Sequence, residues 1–217
     1  MTTSLEFWEQ KHQNYVMKDC VHEPNFLIHD LVNAVSEDSH ILDLGCGQGQ
    51  DAAYLAARGY RVTAADFSPF ALTNFPDSAK KLGVESTLLD LREIPYPFSN
   101  GYFDAVCAHL SLHYFPASLT KAIFAEVERI LRPDGWLFAL FNSIRDPEFG
   151  TGMEIEPQYW EIAPGDRKRF FSVTEMPSLL GRGFTIDSVD YGTGTRKNAG
   201  DEFVRLIAKT ARPTAAR

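Results

Sequence analysis

The residues best placed to do chemistry are the run Leu42-Asp43-Leu44-Gly45-Cys46-Gly47-Gln48-Gly49-Gln50 and, further on, Asp66. Glycines at Gly45, Gly47 and Gly49 let the backbone turn tightly and let a ligand approach main chain that carries no Cβ. Asp66 ends the next apolar run, Val62-Thr63-Ala64-Ala65, where a carboxylate is placed for a ribose. A glycine loop followed by such an acid is the logic of a nucleoside-binding βαβ unit. The spacing narrows the nucleoside. Dinucleotide folds put glycines at relative positions 1, 3 and 6. Here they fall at 1, 3 and 5, with Gln50 at the sixth. No Gly-Lys-Ser or Gly-Lys-Thr follows, which excludes a phosphate-cradling P-loop.

The elements that must position these residues follow from periodicity. Residues 4–35 read as two helices, the second opened by Pro24 and carrying Phe26, Leu27, Leu31, Val32 and Val35 at helical spacing. Strands and helices then alternate, which implies a parallel sheet with right-handed crossovers. Strands are expected at 40–45, 60–65, 84–89, 103–108 and 136–141. Helices are expected at 50–58, from Pro69 (with Ser68 as N-cap) to Gly83, and at 118–131. From Asn142 to Phe171 the regularity stops, and the stretch reads as a long functional loop. A short helix (174–180) and two strands (184–191 and 202–209) complete the chain.

Composition bounds the function. A chain of 217 residues with 44% hydrophobic content is one domain with a single large core. No apolar run approaches the roughly 18–20 residues that span a bilayer. Met1–Trp8 has no basic start and no apolar core, so it does not read as a secretion signal. The three cysteines, Cys20, Cys46 and Cys107, show neither disulfide nor metal spacing, so no metal and a cytoplasmic location are expected. Cys46 and Cys107 read as small fillers rather than nucleophiles. A net charge of −8 argues against nucleic acid as partner. The one basic cluster, Arg167-Lys168-Arg169, reads as a solvated loop.

The Asp43-Leu44-Gly45-Cys46-Gly47-Gln48-Gly49 run, with Asp66 seventeen residues after Gly49, resembles the class I S-adenosylmethionine (SAM)-dependent methyltransferases. The likeness extends over about residues 38–210. It implies a Rossmann-like α/β fold: a mostly parallel seven-stranded sheet with a C-terminal antiparallel strand and helices on both faces. It divides the chain into a helical lid (1–37), a SAM-binding core (38–141), an acceptor-side loop (142–173) and a C-terminal helix and strand pair (174–210). It also implies SAM as cofactor and S-adenosylhomocysteine as product.

By this resemblance Gly45, Cys46, Gly47 and Gly49 offer main chain to the methionine part, and Asp66 accepts from both ribose hydroxyls. Phe67 lies against the adenine. Asp90 takes its amino group, with the Leu91 N–H on a ring nitrogen. His109 and Leu110 pass beneath the cofactor and offer carbonyls to the methionine ammonium. The acceptor is expected to be a small molecule, with N, O, S, C and metalloid methylation all open and the oligomeric state undetermined. Its pocket draws on Trp8, Tyr15, His113, Tyr114, Asn142, Tyr159, Trp160, Phe170 and Phe171. His113 is the candidate base, because an imidazole accepts a proton near neutral pH. Two other readings stay open. One is a protein or nucleic-acid methyltransferase, against which the asparagine-proline-proline-aromatic motif is missing at 109–115. The other is a SAM-binding scaffold diverted to a different role.

Overall fold

The computed structural model describes residues 4–14, 26–193 and 202–211. Tyr15 and Cys20 lie outside them. In chain order the elements are α1 (Ser4–Asn14), α2 (Phe26–Ala34), β1 (His40–Leu44), α3 (Gln50–Ala56), β2 (Arg61–Asp66), α4 (Pro69–Thr73), α5 (Asp77–Lys81) and β3 (Glu85–Leu88). They continue with β4 (Phe103–His109), α6 (Ala117–Ile130), β5 (Leu131–Asn142), β6 (Met153–Glu156), β7 (Tyr159–Ala163), β8 (Asp166–Arg169), α7 (Met176–Leu180), β9 (Phe184–Thr193) and β10 (Glu202–Thr210).

The main sheet has seven strands in the order β3-β2-β1-β4-β5-β10-β9. Its first five strands run parallel, and β10 lies antiparallel between β5 and β9. This is the expected Rossmann-like architecture. The chain leaves β3 at one edge and returns to the centre as β4 beside β1. The strand order reverses there, so the carboxyl ends of β1 and β4 open a crevice.

Parallel strands buried on both faces read as continuous apolar runs, and β1, β4 and β5 do. Their residues divide between two cores. Ile41, Ala105, Cys107 and Phe138 pack under α2 and α3, with Leu27, Leu31, Ala52 and Leu55. Leu42, Leu44, Val106 and Leu137 pack under α6 and α7, with Ile123, Phe124, Val127 and Leu179. Each fully buried Ile, Leu or Phe contributes about 1.5–3 kcal/mol.

Two helical expectations resolve differently. Ser68 does cap α4, its hydroxyl accepting from the Ala71 N–H at 3.1 Å with Pro69 next. The single helix expected over 69–83 is instead α4 and α5, split at Pro76, which has no N–H to give and crowds the preceding turn.

The larger correction concerns 142–171. After β5 it is loop as far as Gly152, but from Met153 it is not. That second part folds as a three-stranded antiparallel sheet, β6-β7-β8. Its two-residue turns are Pro157-Gln158, with Gln158 at φ 64°, and Pro164-Gly165, with Gly165 at φ 83°. The basic cluster lies on β8, where Arg167 is exposed as expected but Lys168 is only 9% exposed and Arg169 1%. Arg169 donates to the Phe115 and Pro157 carbonyls at 3.1 and 3.2 Å and pairs with Glu156. Glu156 also accepts from Ala117 N–H at 2.6 Å, capping α6, so one ion pair fastens the small sheet to the main domain.

Candidate functional site

The glycine loop leaves β1 at the crevice. Gly45 has φ +77°, and a Cβ there would lie 2.2 Å from the Ser111 Cβ. Ser111, from the segment after β4, donates to the Leu44 carbonyl at 2.5 Å, so the ends of β1 and β4 are drawn together through a glycine. The loop spends its N–H groups internally. Gly45 and Cys46 donate to the Ala65 carbonyl at 2.7 and 3.0 Å, and Gly49 to the Cys46 carbonyl at 2.9 Å. Gly47 donates to Asp66 Oδ2 at 2.8 Å, while Ser68 N–H donates to Asp66 Oδ1 at 2.9 Å. Asp66 therefore braces the loop and the start of α4 while lining the cavity, and each oxygen keeps lone-pair capacity for a further donor.

Beneath the loop, Asp43 accepts from the Ala52 N–H at 3.1 Å. Complete burial, reinforced by Asp51 and Asp66, pushes its carboxyl well above the usual range. Asp51 meets His109 Nδ1 at 3.0 Å. Burial likewise raises the Cys46 and Cys107 thiols, which keeps them as unreactive fillers.

Helix α1 lies over this loop. Glu9 accepts from the Ser68 hydroxyl and from Phe70 N–H (3.2 Å), and Gln48 Nε2 donates to the His12 carbonyl at 2.8 Å. Trp8 meets Tyr114 edge to face at 5.0 Å, which joins the helix to the segment after β4.

Loop, helix and strand ends enclose a cavity of about 1700 Å³. Gly45, Gly47, Asp66, Phe67, Asp90, Leu91, His109 and Leu110 line one part of it. Cys46 and Gly49 do not; Cys46 turns into the loop, and Gly49 starts α3 against the Phe75 ring. Asp90 carries a partner that the sequence reading missed. Arg92 clamps it from two residues away, Nε at 2.9 Å from Oδ1 and Nη2 at 2.5 Å from Oδ2. That clamp holds the Asp90 carboxyl below its usual range, ionised and acceptor-only.

The rest of the cavity is bounded by Trp8, His113, Tyr114, Asn142 and Tyr159, as expected, and by residues of the small sheet that were not. His113 is 2% exposed, its ring 4.2 Å from Tyr114. Tyr159 donates its hydroxyl to the Tyr114 carbonyl at 3.1 Å. Because β7 alternates, Tyr159 and Glu161 line the cavity while Trp160 turns away to meet Phe149 at 5.9 Å. Phe170 and Phe171 are also outside it, fully buried against Phe149 and Phe141. The missed wall residues include Asp146, Glu148, Asp166 and Lys168. Their signal was the pair of Pro-led turn dipeptides that makes this stretch a sheet. Among the described residues, no group of three or more His, Cys, Asp or Glu is arranged for a metal, and no helix is long and apolar enough to cross a membrane.

The loop's geometry gives a direct test. At Gly49, φ is +76° and a Cβ would sit 2.0 Å from the Phe75 ring. Gly49→Ala should therefore cost about 2–4 kcal/mol, adding left-handed strain to overpacking. Urea denaturation measures it, and a loss under about 0.5 kcal/mol would contradict the packing described.

Residues 41–135 match the family model described as a methyltransferase domain. An uncharacterized methyltransferase of Synechocystis sp. is 36% identical over 113 residues, covering 50% of this chain and 49% of that protein. One of Bacillus subtilis is 34% identical over 120 residues, covering 52% and 48%. The chain thus spans about half the length of the curated relatives it matches. A Burkholderia thailandensis 1,6-didemethyltoxoflavin-N1-methyltransferase structure superimposes with TM-score 0.71 at 22% identity, covering 94% of this chain and 84% of that one, which bears on the fold alone. With the glycine loop, the strand-end acids and the strand order all in place, residues 41–135 match a methyltransferase domain set in a Rossmann-like sheet, and the chain is similar to the class I SAM-dependent methyltransferases.

Proposed function

We propose that the chain is a methyltransferase that uses SAM to methylate a small-molecule acceptor. The observation that carries this is one cavity with two differently built parts. A glycine cradle with strand-end carboxylates opens directly into an aromatic and charged compartment. The cradle fits the cofactor. A Cβ on Gly45 would collide with Ser111, and the loop, its N–H groups spent, has carbonyl oxygens left for an ammonium. Asp66 has the lone pairs for a ribose diol, and the Arg92-clamped Asp90 suits the adenine amino group, a donor. Phe67 and the Leu91, His109 and Leu110 backbones complete the set.

Bound there, SAM supplies a methyl group on a sulfonium leaving group. The protein's task is then to orient the acceptor and exclude water. Trp8 and Tyr114 close one side, and His113 takes a proton where the acceptor must lose one. A net charge of −8 favours a small acceptor over a nucleic acid, and the sparse cysteines fit a cytoplasmic site of action.

Calorimetric titration with SAM, S-adenosylhomocysteine and NADH tests the reading. Micromolar binding of the first two, with none of NADH, is expected; NADH binding with no SAM binding would overturn it. The lid has its own prediction. Trp8→Ala combined with Glu9→Ala should weaken SAM binding about tenfold or more and leave the melting temperature of the sheet domain within a few degrees. Unchanged SAM affinity would show that α1 does not close over the cofactor.

A further inference from the structure

Asn142 ends β5 at the cavity wall. The residue is 8% exposed, and its amide, which bonds no described residue, opens on the cavity. An amide that faces a cavity without bonding the fold has its donor and acceptor available to a ligand. Its position is well determined. The Phe171 N–H donates to the Asn142 carbonyl at 2.8 Å, and two residues earlier the Arg169 N–H donates to the His113 carbonyl at 2.7 Å. The same short segment therefore ties Asn142 to the His113 wall. An asparagine amide presents one donor and one acceptor side by side in a plane. It is matched by a ligand edge with an N–H beside a carbonyl or ring nitrogen, the pairing asparagine makes with adenine.

The surroundings select the rest of the ligand. Tyr159 spends its hydroxyl on the Tyr114 carbonyl, so its ring remains as flat apolar surface. The small sheet's cations on this wall are already committed: Lys168 Nζ lies 2.8 Å from Glu148 and 3.8 Å from Asp166, and Arg167 Nε donates to Glu161 at 3.1 Å. Asp146 adds a further carboxylate to the lining. An anionic acceptor would face like charge there, whereas a neutral one would not.

Resting on the small-molecule methyltransferase reading above, we propose that the acceptor is an uncharged planar nitrogen heterocycle. We assign Asn142 as the residue that reads its N–H/acceptor edge. The test is ligand-observed NMR on the full chain saturated with S-adenosylhomocysteine. The probes are 2-pyridone and 4(3H)-pyrimidinone, each with a ring N–H beside a carbonyl, against benzoate and phenyl phosphate as anions of similar size.

The heterocycles should bind and the anions should not. Asn142→Leu should weaken 2-pyridone binding about tenfold or more while the S-adenosylhomocysteine affinity stays within about twofold. Asn142→Asp, which keeps the shape but loses the amide donor, should weaken it too. Anions binding as well as the heterocycles, no heterocycle binding, or 2-pyridone binding unchanged in Asn142→Leu would each overturn the proposal. Failure to bind S-adenosylhomocysteine at all would instead overturn the cofactor reading on which it rests.

Discussion

Asp66→Ala is expected to cost about 2–3 kcal/mol of SAM affinity, roughly 30- to 150-fold, because two hydrogen bonds from the ribose to a charged acceptor are lost together. The side chain has a second task, which sets the controls. Its two oxygens accept from Gly47 and Ser68 N–H, so the alanine variant also leaves two partly buried donors unmatched. A stability loss of about 1–3 kcal/mol should accompany the affinity loss. Asp66→Asn separates the two. Its carbonyl still braces one N–H, while its amide group cannot accept from a hydroxyl. It should keep more of the stability and little of the affinity. The informative comparison is calorimetry with SAM against urea denaturation of both variants. Loss of stability with SAM binding intact would make Asp66 a loop brace and nothing more.

The placement of Asp66, at the cavity and bracing the loop, shows how far the sequence could be read and where the reading stopped. Asp66, Gly45 and Asp90 were legible because they sit at the ends of long apolar strands, where a doubly wound sheet must open its crevice. The parallel sheet followed from alternation, and its seven strands from the resemblance. Less legible was what each strand end is bonded to before any ligand arrives. Nothing in the run Asp90-Leu91-Arg92 states that the arginine folds back on the acid, since a two-residue separation allows many conformers.

The stretch from 142 to 171 was opaque for a different reason. Its strands are four or five residues long and crowded with charge, so the period-2 signal that marks a half-buried strand is weak. Asp166-Arg167-Lys168-Arg169 reads as solvated until one knows that Glu148, Asp166 and Glu156 face its cations. Trp160, Phe170 and Phe171 were assigned to the acceptor pocket by type. Alternation and core packing send them elsewhere, while Asp146 and Lys168, which carry no motif, take the wall.

Arg169 gives the sharpest test of that small sheet. It is 1% exposed, and its guanidinium bonds two carbonyls and the Glu156 carboxylate. Truncating one partner of a buried ion pair costs about 3–5 kcal/mol, chiefly because the other is left uncompensated. Glu156 is partly solvated, its side chain 35% exposed, which draws the expected loss for Arg169→Ala toward about 3 kcal/mol. At about 2–4 °C per kcal/mol for a domain of this size, the melting temperature should fall by about 6–12 °C. Arg169→Lys should recover only part of this, because a single ammonium cannot reach three acceptors spread over two segments, Phe115 and Glu156-Pro157. The cofactor half is built from other elements: the glycine loop, Asp66 and Asp90 all lie within residues 41–135. SAM affinity in Arg169→Ala, measured well below its melting temperature, should therefore change by less than about threefold. A melting temperature within 2 °C of wild type would show that β6, β7 and β8 are held by their apolar contacts. A collapse of SAM affinity would show that the two halves of the cavity fold as one unit.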